Sequence, residues 1–377
     1  MRSLSRRDFL ELTALAAAGS PALAAPAPKT QVRPEFQRTM ERVLICVPAD
    51  SGSRDESLPR FLRAAFLDVL GSLPSYAGVE VAVRKEDRDL GLELTKGREA
   101  RVHVVDEPGV EIELWAQDLG EPILRDGRGR FLVSRTMSAS SGEPGTMSRN
   151  RKRVAEVVFG EDSVDEASFV FEGGNLAFDD PRGAARVLVG YNDVSRSQAA
   201  EKALGRNPSR REVLDAIGAA FGGVEVVEMG DESQSRLLQH IDLAFVILEG
   251  GHAVVCRIED GGLPDESRQL ARHAGQLREL GYQVSFLDHQ ASDLESVRSS
   301  VNVVPFKDRT TGERRVLLPV FPGEVSEEAR LMTREALRGK AARAFDLYRD
   351  LGLQPSPVRD VTHRLGGNTH CILNVLA

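Results

Sequence analysis

Gly366-Gly367-Asn368-Thr369-His370-Cys371-Ile372-Leu373-Asn374-Val375 sets a histidine beside a cysteine, behind paired glycines. Glycine lets the backbone approach something closely, and a thiol becomes a nucleophile once it loses its proton. Such a cysteine is also a common small buried hydrophobe, so the reading turns on what accompanies it. Working back along the chain, three more short clusters carry imidazole or carboxylate: His240-Ile241-Asp242, Phe171-Glu172-Gly173-Gly174-Asn175, and Trp115-Ala116-Gln117-Asp118, which holds the only tryptophan. In an extended segment residues two apart share a face, so His240 and Asp242 are expected to meet in one site. Each cluster alone has a plainer reading, as a capped turn, a glycine turn (Glu249-Gly250-Gly251 is read as one) or packing with a cap. Together, a thiol, a histidine and several carboxylates suit attack on a cationic carbon, because two carboxylates can hold a planar guanidinium from both sides. Zinc would want three or four Cys/His ligands at tight spacing, whereas the cysteines lie scattered at 46, 256 and 371. A cysteine protease has no use for the paired carboxylates.

Composition narrows the class. The 377 residues carry a net charge of −8, which argues against a nucleic-acid binder. Hydrophobic residues at 41% and charged ones at 28% describe a globular chain able to bury a sizeable core. Three cysteines cannot staple a fold of this size, and no long uncharged apolar run outside the N-terminus predicts a membrane span. The N-terminus reads as an address: Arg6-Arg7 before Phe9-Leu10, a short apolar stretch Leu12 to Ala18, then Ala22-Leu23-Ala24. This resembles a twin-arginine export signal over residues 1–24 with an Ala-x-Ala cleavage site. Its removal leaves a mature chain of net charge −9, expected to be periplasmic or extracellular. Residues 25–39, rich in Pro and Ala, read as a linker.

From residue 40 onward strands and helices alternate without a dividing linker, so one α/β domain over 40–377 is expected. Strands are read at Arg42 to Val47, Val79 to Val83, Val102 to Val105, Val110 to Leu114, Phe131 to Ser134, Phe169 to Phe171, Arg186 to Val189, Val224 to Val227, Val284 to Leu287, Val301 to Val304 and Val316 to Val320. Ile241 to Leu248 and Ala253 to Ile258 read as a hairpin. Helices are read at Leu58 to Leu73, Met147 to Phe159, Ser209 to Phe221 and Pro264 to Leu280, with one long or two short ones in Val325 to Leu351.

The four ordered motifs, spread over about residues 41–377, resemble the guanidine-modifying (pentein) superfamily of agmatine, arginine and protein-arginine deiminases and amidinotransferases. The resemblance implies an α/β fold, a five-bladed pseudo-symmetric propeller of ββαβ repeats. Some details resemble the protein-arginine deiminase catalytic domain: Trp115-Ala116-Gln117-Asp118-Leu119-Gly120-Glu121, Ser148-Arg149-Asn150-Arg151, and His370-Cys371-Ile372-Leu373-Asn374-Val375. Glu172-Gly173-Gly174 instead resembles the agmatine and free-arginine deiminases.

That likeness implies a covalent mechanism. Cys371 attacks the guanidinium carbon, Asp118 and Asp242 hold the nitrogens, and His240 protonates departing ammonia and then activates water. Glu172 orients His240 or joins guanidinium binding. Trp115, Arg149, Arg151, Gly173, Gly174 and Asn175 are implied substrate contacts, with Arg149 and Arg151 open to a second reading as a solvated basic face. No organic cofactor is implied. Calcium is a possibility through Gln117 and Glu121, but Ala177 stands where the protein-arginine enzymes have an acidic ligand, for which Asp179 or Asp180 would have to substitute. The expected substrate is peptidyl-arginine, giving peptidyl-citrulline. Alternatives are agmatine or free arginine, an amidinotransferase, and a silent guanidinium-binding protein.

Overall fold

A computed structural model describes residues 30–48, 57–135, 146–181, 184–325 and 332–376. The export signal read at 1–24 lies outside the described residues. Within the stretch read as linker, Thr30–Gln31 (β1) pairs with a later strand, and Phe36 and Arg38 are buried. From Thr30 onward this stretch is therefore part of the packed domain.

Arg42–Cys46 (β2), Gly78–Arg84 (β3) and Ala100–Val105 (β4) run parallel, with helices Ser57–Ser72 (α1) and Arg88–Leu94 (α2) in the crossovers. Val43, Leu44 and Ile45 are fully buried, as expected of a strand covered on both faces. Glu121–Arg125 (β5) and Arg128–Val133 (β6) form a hairpin, Thr146–Phe159 (α3) crosses over, and Val164–Glu166 (β7) returns parallel to β6. The same order of hairpin, crossover and parallel strand then recurs. Leu176–Asp179 (β8) and Arg186–Gly190 (β9) are followed by Tyr191–Ala203 (α4), Arg210–Ala220 (α5) and Glu225–Met229 (β10). Phe245–Leu248 (β11) and His252–Ile258 (β12) are followed by Pro264–Glu279 (α6) and Gln283–His289 (β13). After Ala291–Glu295 (α7), Val304–Lys307 (β14) and Arg314–Val320 (β15) lead to Gly339–Asp350 (α8) and Gln354–Arg359 (β16). Asn374–Val375 (β17) then pairs antiparallel with β2, so the chain's last strand completes the first sheet. The described residues form five sheets, each with a ββαβ core.

Local chemistry explains most boundaries. Ser209 and Glu212 make the reciprocal capping box at the start of α5. Gly250 and Gly251 take φ of 82° and 73° in the β11–β12 turn, a region costly for other residues. Other expectations need correcting. Val110 to Leu114 is not a strand: Val110 and Ile112 are buried, but no neighbouring strand takes their backbone. Phe169 to Phe171 is not one either, because the Val170 and Phe171 N–H groups donate to Ser197 Oγ and Ser134 Oγ at 2.9 and 2.8 Å. Val301 and Val303 are buried ahead of β14, which begins only at Val304. In the described part of Val325 to Leu351 there is one helix, α8, after a short 3-10 turn, Arg334–Ala336.

Candidate active site

Three 3-10 turns lead into the first strands of successive sheets: Gln117–Leu119 before β5, Gly173–Asn175 before β8 and Ile241–Leu243 before β11. Each touches the next. The glycines make this approach possible. A Cβ on Gly173 would sit 2.2 Å from the Gln117 carbonyl oxygen, and one on Gly174 2.6 Å from His240 Nδ1 and 3.1 Å from Asp242 Oδ2. Gly174 N–H donates to Asp118 Oδ1 at 3.3 Å. Asn175 is wholly buried, donating to Asp193 Oδ1 and accepting the Ile241 N–H, both at 3.2 Å. Gly173, Gly174 and Asn175, expected as substrate contacts, thus form the cradle that joins the turns.

His240 and Asp242 do meet, though not by strand alternation. His240 is extended, with φ −104° and ψ 138°, and Asp242 lies in the 3-10 turn that follows. His240 Nε2 is 2.9 Å from Glu172 Oε2, and Arg196 Nη2 donates to the same oxygen at 2.7 Å. Arg151, 4% exposed at its side chain, pairs with Glu113 and stands 3.8 Å from Glu172 Oε1.

The fifth turn, ahead of β17, carries the thiol. Asp360, buried at the end of β16, accepts the backbone N–H of Thr362 and Thr369 at 2.8 and 2.6 Å, and both hydroxyls. The Cys371 carbonyl accepts the Gln117 N–H at 3.2 Å, which ties this turn to the first. Cys371 Sγ lies 3.6 Å from Asp242 Oδ2 and 3.7 Å from Asn302 Nδ2. His370 Nδ1 is 3.0 Å from that same Asp242 oxygen. Asp242 Oδ1 is buried without a partner among the described residues.

These contacts set the charges. Burial pulls the His240 imidazole down, but the Glu172 hydrogen bond and the charges of Asp118 and Asp242 outweigh it and lift it to about 10. Burial would raise Glu172, yet hydrogen bonds from His240 and Arg196 hold it well below the usual carboxylate range. Burial, reinforced by Asp242, pushes the Cys371 thiol well up, and burial also raises Asp118. The ligand-free site therefore pairs a protonated thiol with an imidazolium.

A cavity of about 910 Å³ opens onto Trp115, Asp118, Arg151, Glu172, His240 and Cys371, with Arg196 and Arg236 also in its walls. Trp115 lies flush on the last loop, since a Cβ on Gly367 would strike its ring at 2.5 Å. Arg149 is exposed on α3, whereas Arg151 lines the cavity. The residues expected to hold calcium have other partners. Glu121 Oε2 is 3.2 Å from Arg38 Nη2 in a buried ion pair, Gln117 turns to His370, and Asp179 is bonded by the Tyr282 hydroxyl. A guanidinium already occupies the charge a dication would need. Among the described residues no cluster of three Asp, Glu, His or Cys could hold a metal.

No protein-family profile and no curated protein sequence matches the chain. Solved structures do. An agmatine deiminase of C. jejuni is 14% identical, with 94% of this chain and 98% of that one covered and a TM-score of 0.61. An agmatine deiminase of Enterococcus faecalis is 19% identical, with 92% and 95% covered and a TM-score of 0.61. A protein described as a "putative peptidyl-arginine deiminase" is 17% identical, with 92% and 98% covered and a TM-score of 0.66. The chain has the pentein fold.

The pentein repeat shows where sequence reading fell short. Asp118, Asp242 and Cys371 each stand three residues before the first strand of their sheet. Asn302, two before β14, fills the same place in the fourth sheet, accepts the His370 N–H at 3.1 Å and faces the thiol. It was missed because no glycine or histidine flags it, and because it stands two residues before its strand where the others stand three. Arg196 and Asp193, which fix Glu172, were missed because α4 buries polar residues.

Proposed function

We propose that the protein is a deiminase that hydrolyses a guanidino C–N bond, most favourably that of peptidyl-arginine. The observation that carries the chemistry is the buried Cys371 thiol beside Asp242, whose second oxygen has no partner among the described residues, in a cavity that also holds Asp118 and His240. A guanidinium supplies the missing cation. Its nitrogens are held by Asp118 and by Asp242 Oδ1, and its charge lowers the cost of forming the Cys371 thiolate, whose proton passes to solvent as the guanidinium enters. Sγ adds to the guanidinium carbon, the C–N bond breaks, and ammonia leaves with a proton from His240. Water, deprotonated by His240, then adds to the thiouronium carbon and Sγ departs, leaving a ureido product. Glu172 orients His240 and keeps it charged. The five ββαβ sheets, read as blades of a propeller, would bring their leading turns together around this point.

Substrate class is read from the cavity's charges. Arg196 and Arg236 offer donors, which suits peptide carbonyls or a carboxylate. Glu113 is committed to Arg151, so it is not a free anchor for the distal ammonium of agmatine. Free arginine is the second reading, favoured by the same arginines. The test is ureido-product formation by residues 25–377 on a blocked arginine peptide, free arginine and agmatine. Turnover confined to agmatine would overturn the substrate assignment, and no turnover on any would overturn the chemistry. Export rests on Arg6-Arg7 and Ala22-Leu23-Ala24, and is checked by whether replacing both arginines with lysine keeps the protein in the cytoplasm.

A further inference from the structure

The 3-10 turn Glu35–Gln37, in the stretch expected to be linker, reaches the active site from behind. Glu35 Oε2 is 2.9 Å from His370 Nε2. His370 Nδ1 is 3.0 Å from Asp242 Oδ2, the oxygen that also faces Cys371 Sγ at 3.6 Å. One imidazole thus bridges two carboxylates. Arg38, from the same segment and 4% exposed, donates to the Val375 carbonyl at 2.9 Å and to Glu121 Oε2 at 3.2 Å, which fastens the segment to β17 and β5. A small cavity of about 40 Å³ lies among Glu35, Arg38, Glu121, Asp242 and His370, enough for a water or two.

A neutral imidazole has one N–H and can donate to only one of these carboxylates. Both ring nitrogens stand at donor distance, so the arrangement calls for the cation. Gln117 Nε2, 3.2 Å from His370 Nε2, fits this only with its amide turned so that Oε1 accepts. That turn also gives a partner to Gln117 Oε1, which otherwise has none. The charged groups around His370 are then Asp242, Glu35, and behind them Arg38 and Glu121, with the Cys371 thiol next in the chain.

Resting on the deiminase reading, we propose that Glu35 is a positioning residue for catalysis: by holding His370 as a two-sided donor it fixes Asp242 Oδ2 and keeps Oδ1 aimed at the guanidinium. Glu35 does not touch substrate. Its effect passes through His370 to Asp242, and the segment before β2 becomes part of the active site.

The experiment compares the full chain with Glu35→Gln and Glu35→Ala. For each, kcat and KM are measured on the best guanidino substrate of the unaltered protein, with and without added formate, beside the melting temperature. Cys371 alkylation by iodoacetamide is followed by peptide mapping. Misplacing a binding carboxylate by a fraction of an ångström is expected to cost on the order of 10–100-fold in kcat/KM, mainly through KM. Glu35, 24% exposed at its side chain, leaves room for formate to restore part of the Ala loss but none of the Gln loss. Alkylation should slow several-fold in both variants, because a cation next to the thiol is lost. Unaltered kcat/KM in Glu35→Gln overturns the proposal. So does a loss that follows the melting temperature and resists formate, which would make the segment a structural strap alone. An unaltered chain inactive on every guanidino substrate would defeat the deiminase reading instead. The alkylation rate would then decide the role of Glu35 alone, an unchanged rate refuting it.

Discussion

Gly174 shows how little freedom the site has at the scale of a residue. Its missing Cβ would lie 2.6 Å from His240 Nδ1 and 3.1 Å from Asp242 Oδ2. Gly174→Ala must therefore displace His240 or Asp242. It is expected to lower kcat/KM by about 100-fold or more, measured beside a melting curve showing that the protein still folds. His240 makes a second prediction. Its folded value, about 10, stands above the 6.5 of an ordinary imidazole. Stability from the His240–Glu172 pair is thus fully present below pH 6.5 and is lost as pH rises through about 10. In the proposed mechanism the same proton goes to the departing ammonia, so the kcat/KM profile should fall on the alkaline side near pH 10. Glu172→Gln removes the hydrogen bond that sustains the cation, and should move that limb toward neutral pH by at least about one unit. A limb that stays in place would remove His240 from the acid role.

At the scale of elements, what was legible in the sequence depended on whether burial left a pattern. The β2 run RVLIC and the amphipathic helices α1, α5 and α6 could be read because packing on one or two faces leaves a period. Helix α4 could not, because its buried positions Asp193, Val194 and Ser197 include two polar residues that serve the cradle. Strand β16 carries Pro355 and Pro357 and reads as a breaker. It tolerates them because among the described residues it pairs with β15 alone, so alternate backbone nitrogens need no partner. The clusters that hold Asp118, Glu172, His240, Asp242 and Cys371 were legible as chemistry, whereas Glu35 was not, since a lone acid in a Pro/Ala-rich stretch carries no signal. The strap that brings it in also bears on stability. Arg38→Ala leaves the Glu121 carboxylate buried without its cation. Glu121 is already lifted to about 7 by burial, against which Arg38 works. A carboxyl raised on folding favours the folded state less as pH climbs from 4.5 through that value, and losing Arg38 lifts it further. The variant should be destabilised by about 3 kcal/mol at pH 8 and by clearly less at pH 5, where Glu121 takes a proton. Urea titrations at the two pH values check this, and equal losses would show that Arg38 acts through packing instead.

At the scale of the whole molecule, five sheets place their leading turns against one another, and the charges they bring do not balance. Asp118, Asp242, Glu172 and Glu35 come from different parts of the chain, against the imidazolium groups of His240 and His370, the partly exposed Arg196, and Arg151, which Glu113 already pairs. The acid most in need of a partner is Asp118, which is 6% exposed, is raised by burial and receives a single N–H from Gly174. Its folded value lies above that of a free carboxylate, so as pH rises past 3.8 and through the folded value its ionisation works against the folded state. A guanidinium would reverse this, which means the ligand-free protein stores instability that binding removes. Asp118→Asn separates the two effects. At pH 8 the ligand-free variant should be more stable than the parent by about 0.5–2 kcal/mol, as when a strained functional group is replaced by a neutral one. It should also lose the stabilisation of about 2.7 kcal/mol that a guanidino ligand at a hundred times its dissociation constant gives the parent. Both are read from denaturant curves with and without ligand, on a Cys371→Ala background that prevents turnover. If Asp118→Asn lowers stability and still responds to ligand, Asp118 is a structural acid and the guanidinium is held elsewhere.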